Sequence, residues 1–139
     1  QQDGMDITIL KVSSDSGKAT FSGAKNPLLL IRKGEPTLIK GSKFSVGGYL
    51  TQREKIFEEH DMMLQPADRL YIYTDGFQDQ FGGTKGKKFK VKPLKDLLLS
   101  INNLPMLEQR NIISSTFHTW KGELEQIDDI CLIGIKIKF

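Results

Sequence analysis

Two aspartates stand out because each lies where an apolar strand is expected to end or begin. Asp75 follows Leu-Tyr-Ile-Tyr-Thr at 70–74, and Asp128 precedes Ile-Cys-Leu-Ile at 130–133. Hard divalent cations such as Mn²⁺ and Mg²⁺ prefer carboxylate oxygens and keep several water ligands. Because a sheet fixes the spacing of its strand ends, two carboxylates in these positions predict part of a metal site. The plainer alternative, a turn at Asp75 and a solvated strand start at Asp128, remains open.

The elements that would position these aspartates are several strands, then two helices, then one last strand. Apolar runs and turn signals predict strands over residues 5–12, 18–22, 27–32, 36–40, 55–64, 69–74 and 130–139. Helices are predicted to begin at Pro93 and at Pro105, because leucines, isoleucines and aromatic residues then recur at helical spacing. The last strand is apolar enough to be buried on both faces. This order predicts an α+β domain whose helices cover one face of an antiparallel sheet.

Two segments lack such periodicity and are predicted to be loops. Residues 41–50 contain paired glycines, and residues 81–92 are dominated by glycine and lysine. The second of these loops is predicted to be flexible.

The bulk composition is that of a single globular domain. The chain has 139 residues, of which 38% are hydrophobic and 27% charged, and its formal net charge is +3. This length supports one core, so residues 1–139 are interpreted as one unit. The mild positive charge allows attraction to phosphate groups but predicts no nucleic-acid partner.

The single cysteine and the hydropathy of the sequence indicate in which cellular compartment the protein is expected. Cys131, the only cysteine, has no partner for an internal disulfide, and its apolar neighbours predict a buried position in a strand. No apolar run approaches the roughly 18 residues of a membrane span, so no membrane contact and a cytoplasmic location are expected. Because the sequence starts at Gln1 without a methionine, it is interpreted as a cut from a longer protein.

Three sequence blocks, read together, resemble successive motifs of a bacterial phosphatase family. They are Gly-Ala-Lys-Asn-Pro-Leu at 23–28, Tyr-Thr-Asp-Gly-Phe at 73–77 and Gln-Ile-Asp-Asp-Ile at 126–130. In order and spacing they are similar to the C-terminal part of the PP2C-like serine/threonine phosphatase domain of sporulation protein E and the sigma-factor regulatory phosphatases. Thr-Asp-Gly alone is a common turn, but the combination is specific and the similarity covers nearly the whole chain.

This resemblance implies a sandwich of two antiparallel sheets with flanking helices and two Mn²⁺ or Mg²⁺ ions at one edge. It implies no catalytic side chain as nucleophile, because a metal-bound water attacks the phosphorus of phosphoserine or phosphothreonine. By residue matching, the metal ligands would be Asp75 and Asp128. Gly76 would allow close backbone approach, and Asp129 and Asp79 would lie outside the direct ligands.

The family's upstream half supplies an aspartate, a glycine carbonyl and a Gly-His-Gly-like stretch, and the sequence contains no such blocks. The N-terminal half of the domain is therefore interpreted as missing. Asp3-Gly4 and Asp6 are interpreted as structural, since Asp6 lies within the first predicted strand. Two carboxylates alone should bind Mn²⁺ weakly. The isolated chain is expected to be inactive or a poor enzyme.

Partners follow from the same resemblance. It implies a phosphoprotein substrate on a bacterial signalling pathway, with an anti-sigma antagonist as a candidate, and an upstream sensory domain in the parent protein. A second hypothesis is a non-catalytic phosphatase-like module that binds a phosphoprotein or forms a homodimer through an exposed sheet surface. A third, nucleic-acid binding by lysines 85–92, is disfavoured because such charge runs are usually solvated.

Overall fold

The computed structural model describes residues 3–48 and 54–139, and its elements follow the predicted order with one short helix and two short strand pairs added. The strands are β1 (Gly4–Met5), β2 (Ile7–Val12), β3 (Lys18–Ala24), β4 (Leu28–Arg32), β5 (Glu35–Ile39), β6 (Val46–Gly47), β7 (His60–Met63), β8 (Arg69–Tyr73), β9 (Phe81–Gly82), β10 (Lys87–Lys88) and β11 (Leu132–Lys136). The helices are α1 (Gly76–Asp79), α2 (Val91–Ile101) and α3 (Met106–Lys121).

Two antiparallel sheets form the body of the fold. One sheet has four strands in the order β11-β8-β4-β5, and the other has three in the order β2-β3-β7. Two short pairs, β1 with β6 and β9 with β10, lie outside these sheets. The predicted α+β class and antiparallel sandwich are confirmed.

Strand β4 shows why the centre of the four-stranded sheet is apolar throughout. Its side chains alternate between the two faces of the sheet, as in any strand. Leu28 and Leu30 belong to the core between the two sheets, whereas Leu29 and Ile31 belong to the core beneath the helices. Strand β8 repeats the pattern with Leu70 and Tyr71. A strand covered on both faces requires such a continuous apolar run.

Helices α2 and α3 cover the outer face of the four-stranded sheet. Helix α2 buries Leu94, Leu98 and Ile101, which share one side of the helix, and α3 buries Phe117. Helix α2 begins two residues before the predicted Pro93, which lies in its first turn, where a missing N–H costs no helical hydrogen bond.

Two predicted strands are shorter than expected. The strand predicted over 55–64 contains only β7. The last strand, predicted over 130–139 with burial on both faces, is β11, an edge strand with a half-exposed Ile133. Ile135 and Ile137 pack into the core between the sheets, but that core does not extend over Ile133. Burial on both faces was therefore wrong at the end of β11 nearest Asp128.

The two predicted loops contain short strands. Residues 81–92 form a hairpin in which Lys87 pairs with Gly82, and they then enter α2. Within 41–50, strand β6 pairs with β1, and residues 49 and 50 lie outside the described part of the chain. Local glycine content therefore hid pairings that depend on distant partners.

Cys131 is exposed, so its predicted burial was wrong. It precedes β11, and its backbone bonds to Thr74. Among residues 3–48 and 54–139, no helix is both long and apolar enough to cross a membrane.

Candidate metal centre

Asp75 follows β8 with only Thr74 between them, at the position that precedes helix α1. Its backbone carbonyl accepts the N–H of Asp79 at 3.0 Å, which closes the single turn of α1. Its carboxylate makes no capping bond to the helix. Strand β8 therefore presents this carboxylate at the edge of the sheet, with its oxygens free of the helix.

Asp128 reaches the same edge because β11 pairs with β8. The register places Leu132 opposite Tyr73, and beyond it Thr74 and Cys131 exchange hydrogen bonds: the Thr74 N–H donates to the Cys131 carbonyl at 3.0 Å, and the Cys131 N–H donates to the Thr74 hydroxyl at 3.0 Å. The segment before β11 is thereby held alongside Asp75. One Asp128 carboxylate oxygen accepts the N–H of Asp129 at 2.8 Å, which orients that side chain.

Gly76 permits the close packing of these two segments. A Cβ at this position would overlap the carbonyl oxygen of Asp129 and would lie 3.0 Å from Cγ1 of Ile130. Gly76 is buried, and its conformation does not need the left-handed region. The backbone that lies against Gly76 is that of Asp129, and the role of Gly76 toward a metal stays a prediction.

The two aspartates line one open cleft with a volume of about 460 Å³. Its other lining residues lie in β1, between β1 and β2, in the turn after β3, before β6, after β8 and before β11. In that order they are Gly4, Asp6, Lys25 and Asn26, Ser45, Thr74, and Asp129. The structure thus brings the Gly-Ala-Lys-Asn-Pro-Leu, Thr-Asp-Gly and Gln-Ile-Asp-Asp blocks to one place.

The carboxylates of the cleft interact electrostatically. Partial burial raises the pKa of Asp75, and the charges of Asp79, Asp128 and, to a smaller extent, Asp6 raise it further. Each of these neighbours disfavours ionisation of Asp75 because like charges repel. A bound cation would remove that repulsion.

Asp79 differs from Asp75 and Asp128 because a lysine ammonium lies beside it. The Lys88 ammonium lies 3.3 Å from its carboxylate. Asp79 therefore influences Asp75 through charge while its own carboxylate is directed to the β9–β10 hairpin. The roles of Asp75, Asp79, Asp128 and Asp129 toward a metal stay predictions.

Asp6 is the acidic residue that sequence reasoning misplaced. It lies between β1 and β2, not within one continuous strand, and it faces the cleft. The Ser45 hydroxyl donates to its carboxylate, and the Lys25 ammonium lies 3.8 Å away. The available signal was a carboxylate interrupting an apolar run, but only the return of residues 42–46 to this edge shows which side it faces.

The oxygen donors of the cleft fit part of a site for a hard divalent cation. The cleft offers carboxylate, hydroxyl and amide oxygens, which suit Mn²⁺ or Mg²⁺. In the described ranges, however, no three His, Cys, Asp or Glu side chains converge closely enough to hold a metal. The residues fit as part of such a site whose remaining ligands are waters or other segments.

Comparison with known proteins places the fold. The profile of the stage II sporulation protein E (SpoIIE) family matches residues 2–138. The SiaA-PP2C domain of Pseudomonas aeruginosa superposes with a TM-score of 0.87 at 28% identity, over 96% of this chain and 52% of that chain. The phosphatase domain of SpoIIE from Bacillus subtilis superposes with a TM-score of 0.66 at 12% identity, over 96% of this chain and 59% of that one.

A serine/threonine phosphatase of Mycobacterium tuberculosis, PstP, is also similar, with a TM-score of 0.63 and 14% identity over 98% of this chain and 61% of its own. The chain therefore spans 52% to 61% of the length of these three solved structures. A structure of RsbX contains magnesium, and one SpoIIE crystal was presoaked with manganese. No curated protein sequence matches the chain.

The family profile covers nearly all of the sequence, and the solved structures share its PP2C fold. The predicted resemblance is confirmed: this chain belongs to the stage II sporulation protein E family of PP2C-like phosphatase domains.

Proposed function

We propose that this chain is the Asp75- and Asp128-bearing part of a metal-dependent protein serine/threonine phosphatase domain. The observation that carries the proposal is the convergence of these two aspartates on one cleft through the β8–β11 pairing. Family membership supports the phosphatase class. The repulsion among the carboxylates supports a cation as their natural counterpart.

Asp75 and Asp128 would hold Mn²⁺ or Mg²⁺, with Asp6 as a further candidate at the same cleft. When bound, such an ion activates water and offsets negative charge on the phosphoryl oxygens. Within this chain, Gly76 keeps the two ligand segments in contact, and the Asp129 N–H orients the Asp128 carboxylate. None of these roles requires a protein nucleophile.

Lys25 gives the cleft its cation. Among the described residues that line the cleft it is the only lysine or arginine. It has a left-handed backbone conformation with φ of 63°, and its ammonium lies 3.8 Å from Asp6. An ammonium in this position would attract the phosphate of an incoming phosphoserine or phosphothreonine. Lys25 would thus help to orient the substrate beside the metal ligands.

The substrate of the parent protein would be a phosphoprotein in bacterial signalling, with an anti-sigma antagonist as a candidate. Two similar structures support this class by their descriptions: SpoIIE is a cell fate determinant, and a Mycobacterium tuberculosis protein joins RsbU and RsbW domains. An upstream sensory domain and a cytoplasmic location belong to the same proposal. The 139-residue chain alone is expected to have little activity, since the described cleft lacks a full ligand set.

The test is Mn²⁺-dependent hydrolysis of p-nitrophenyl phosphate by this chain and by the longer parent chain. Asp75→Asn and Asp128→Asn serve as variants. Asp15→Asn serves as the control, because Asp15 lies in the exposed turn between β2 and β3, at the end of that strand pair away from Asp6 and Lys25. We expect activity in the parent chain that both cleft variants lose by at least about 100-fold and the control retains.

Activity of the 139-residue chain alone would show that it completes a metal site unaided and would contradict the partial-site interpretation. Absence of Mn²⁺-dependent activity in the parent chain would overturn the phosphatase proposal. It would favour the alternative, a non-catalytic module that binds a phosphoprotein or a second copy of the chain.

A further inference from the structure

The β9–β10 hairpin is packed against α1 and α3 despite its glycines and lysines. Phe89 follows β10 and packs edge-on against Phe77, with ring centroids 4.9 Å apart, and against Trp120 at 5.3 Å. Gly82 and Gly83 lie against Trp120 so closely that a Cβ at either position would overlap it. The aromatic cluster therefore fixes the hairpin to α1 and α3.

Buried hydrogen bonds add to this anchoring through Gln80, which is fully buried. The Gln80 carbonyl accepts the Phe89 N–H at 3.0 Å and the Trp120 indole N–H at 2.9 Å. The Gln80 side chain donates to the Glu125 carbonyl at 2.8 Å. Glu125 lies three residues before Asp128, so the hairpin base is joined to both segments that carry the candidate ligands.

The hairpin directs an excess of positive charge to solvent. Lys85, Lys87, Lys88 and Lys90 are all exposed. Among the residues described, Lys88 pairs with Asp79 and the ion pairs found do not include Lys85, Lys87 or Lys90. Three ammonium groups are thus available on a hairpin with a packed base.

This surface adjoins the candidate metal centre. Lys88 contacts Asp79 at 3.3 Å, and Asp79 lies one helical turn after Asp75. The Lys90 N–H donates to the Gln78 carbonyl of α1 at 2.8 Å. A substrate whose phosphorylated side chain enters the cleft would therefore place its neighbouring residues near the hairpin lysines.

We propose that the lysine-rich hairpin, defined as residues 81–90, binds acidic residues that flank the phosphorylated serine or threonine of the protein substrate. The proposal rests on the proposed phosphatase function and adds a sequence preference to it. Exposed ammonium groups attract carboxylates at short range, and the packed base of the hairpin limits the backbone entropy lost on binding. The carboxylates of the cleft would otherwise repel such a substrate.

A protein partner fits this surface better than a nucleic acid. Single-stranded nucleic acids need exposed aromatic faces on which bases stack. Phe89 is packed between Phe77 and Trp120, and the ammonium of Lys88 lies 5.8 Å from the centroid of the Phe81 ring. Phe81 is 40% exposed, so the hairpin presents several point charges with one exposed ring, and not the series of aromatic faces on which successive bases stack.

The first experiment measures peptide binding by fluorescence anisotropy at about 0.1 M salt, where charges more than roughly 10 Å apart are screened. One labelled phosphoserine peptide carries glutamates beside the phosphoserine, and a matched peptide carries glutamines. Both are titrated with the 139-residue chain without metal. The test variant is Lys85→Gln/Lys87→Gln/Lys90→Gln, and the control of equal net charge is Lys11→Gln/Lys40→Gln/Lys138→Gln, at exposed positions outside the hairpin.

We expect the chain to prefer the acidic peptide and the hairpin variant to lose about tenfold in affinity for it, since exposed charge pairs contribute a few tenths to one kcal/mol each. The control variant should keep the preference. Equal losses in both variants would reduce the effect to net charge and overturn the proposal. Equally tight binding of a single-stranded DNA of the same charge would also overturn it, in favour of a general polyanion surface.

The second experiment separates this proposal from the proposed function. In the parent chain, kcat/KM is measured for the acidic and the glutamine peptide. If both peptides are hydrolysed but the hairpin variant leaves the ratio of their kcat/KM values unchanged, the hairpin does not bind the acidic flanking residues. The phosphatase function then stands. If neither is hydrolysed while the binding preference depends on the hairpin lysines, the phosphatase function is wrong and the acidic-peptide surface stands without it.

Discussion

Strand β8 is flanked by two aspartates whose surroundings are opposite. At its start, Asp68 is 1% exposed and forms a two-point ion pair with Arg32, with N···O distances of 2.9 and 2.7 Å. The Gln65 N–H also donates to it, at 2.8 Å. At its end, Asp75 faces other carboxylates across an open cleft and has no cation within ion-pair distance in the described ranges.

The pKa values of the two groups move in opposite directions for this reason. Burial alone would raise the pKa of Asp68, but its hydrogen bonds from Arg32 and Gln65 outweigh burial and lower it. At Asp75, burial and the neighbouring carboxylates all raise the pKa. A satisfied carboxylate stabilises the fold, whereas an unsatisfied cluster marks a site that binds something else.

The largest expected loss of stability follows from breaking the Asp68–Arg32 ion pair at the start of β8. Arg32→Met would leave the Asp68 carboxylate buried without its partner, and we expect a loss of about 3 kcal/mol in the free energy of unfolding. Urea unfolding followed by circular dichroism measures it. Lys33→Met, the exposed neighbour with the same charge change, is the control and should lose less than about 0.5 kcal/mol. Similar losses in both variants would mean that the ion pair has no special role.

A smaller loss in the free energy of unfolding is expected at Gly76, where the segments that carry Asp75 and Asp128 pack against each other. Gly76→Ala would force a Cβ against the Asp129 carbonyl, and overpacking of this kind costs about 2 kcal/mol. Gln78→Ala on the same helix is the control, since Gln78 contributes its backbone carbonyl to Lys90. An unfolding midpoint unchanged by Gly76→Ala would show that the two segments separate without cost.

The pH dependence of unfolding tests the contribution of the Asp68 carboxylate to stability. Because the pKa of Asp68 is lower in the folded state, its contribution to stability is fully present above its unfolded pKa of about 3.9 and is lost as the pH falls through the folded value. Asp68→Asn should flatten the acid limb of a stability profile measured by urea unfolding. An acid limb that is unchanged in the variant would assign the loss to other carboxylates.

The smallest change in stability is expected at Asp75, after the end of β8, and there the substitution should stabilise the chain. Asp75→Asn removes repulsion at an exposed position and should stabilise the metal-free chain by less than about 0.5 kcal/mol. Excess Mn²⁺ should stabilise the unsubstituted chain by mass action and leave the variant unchanged, as followed by thermal unfolding. Asp15→Asn is the control. Equal Mn²⁺ effects in all three proteins would place the binding elsewhere.

The central strands and the paired motifs were predictable because their signals are local. The residues that form β8 are of types that favour a strand and run directly into Asp75, and the order of three short blocks is specific to the family. The hairpin at 81–88 was not predictable in this way. Its stability comes from Trp120 and Gln80, and Trp120 lies about thirty residues further along the chain.

The antiparallel strands, the two helices near Pro93 and Pro105 and the family could be predicted from the sequence, because hydrophobic periodicity and turn residues act over a few neighbours. The tertiary structure alone decided which carboxylates meet. The β8–β11 register sets Asp128 beside Asp75, the interruption between β1 and β2 turns Asp6 into the same cleft, and the packing of Trp120 fixes the lysine-rich hairpin next to them. Contacts between residues far apart in sequence depend on the packing of the sheets and helices, which no local pattern contains.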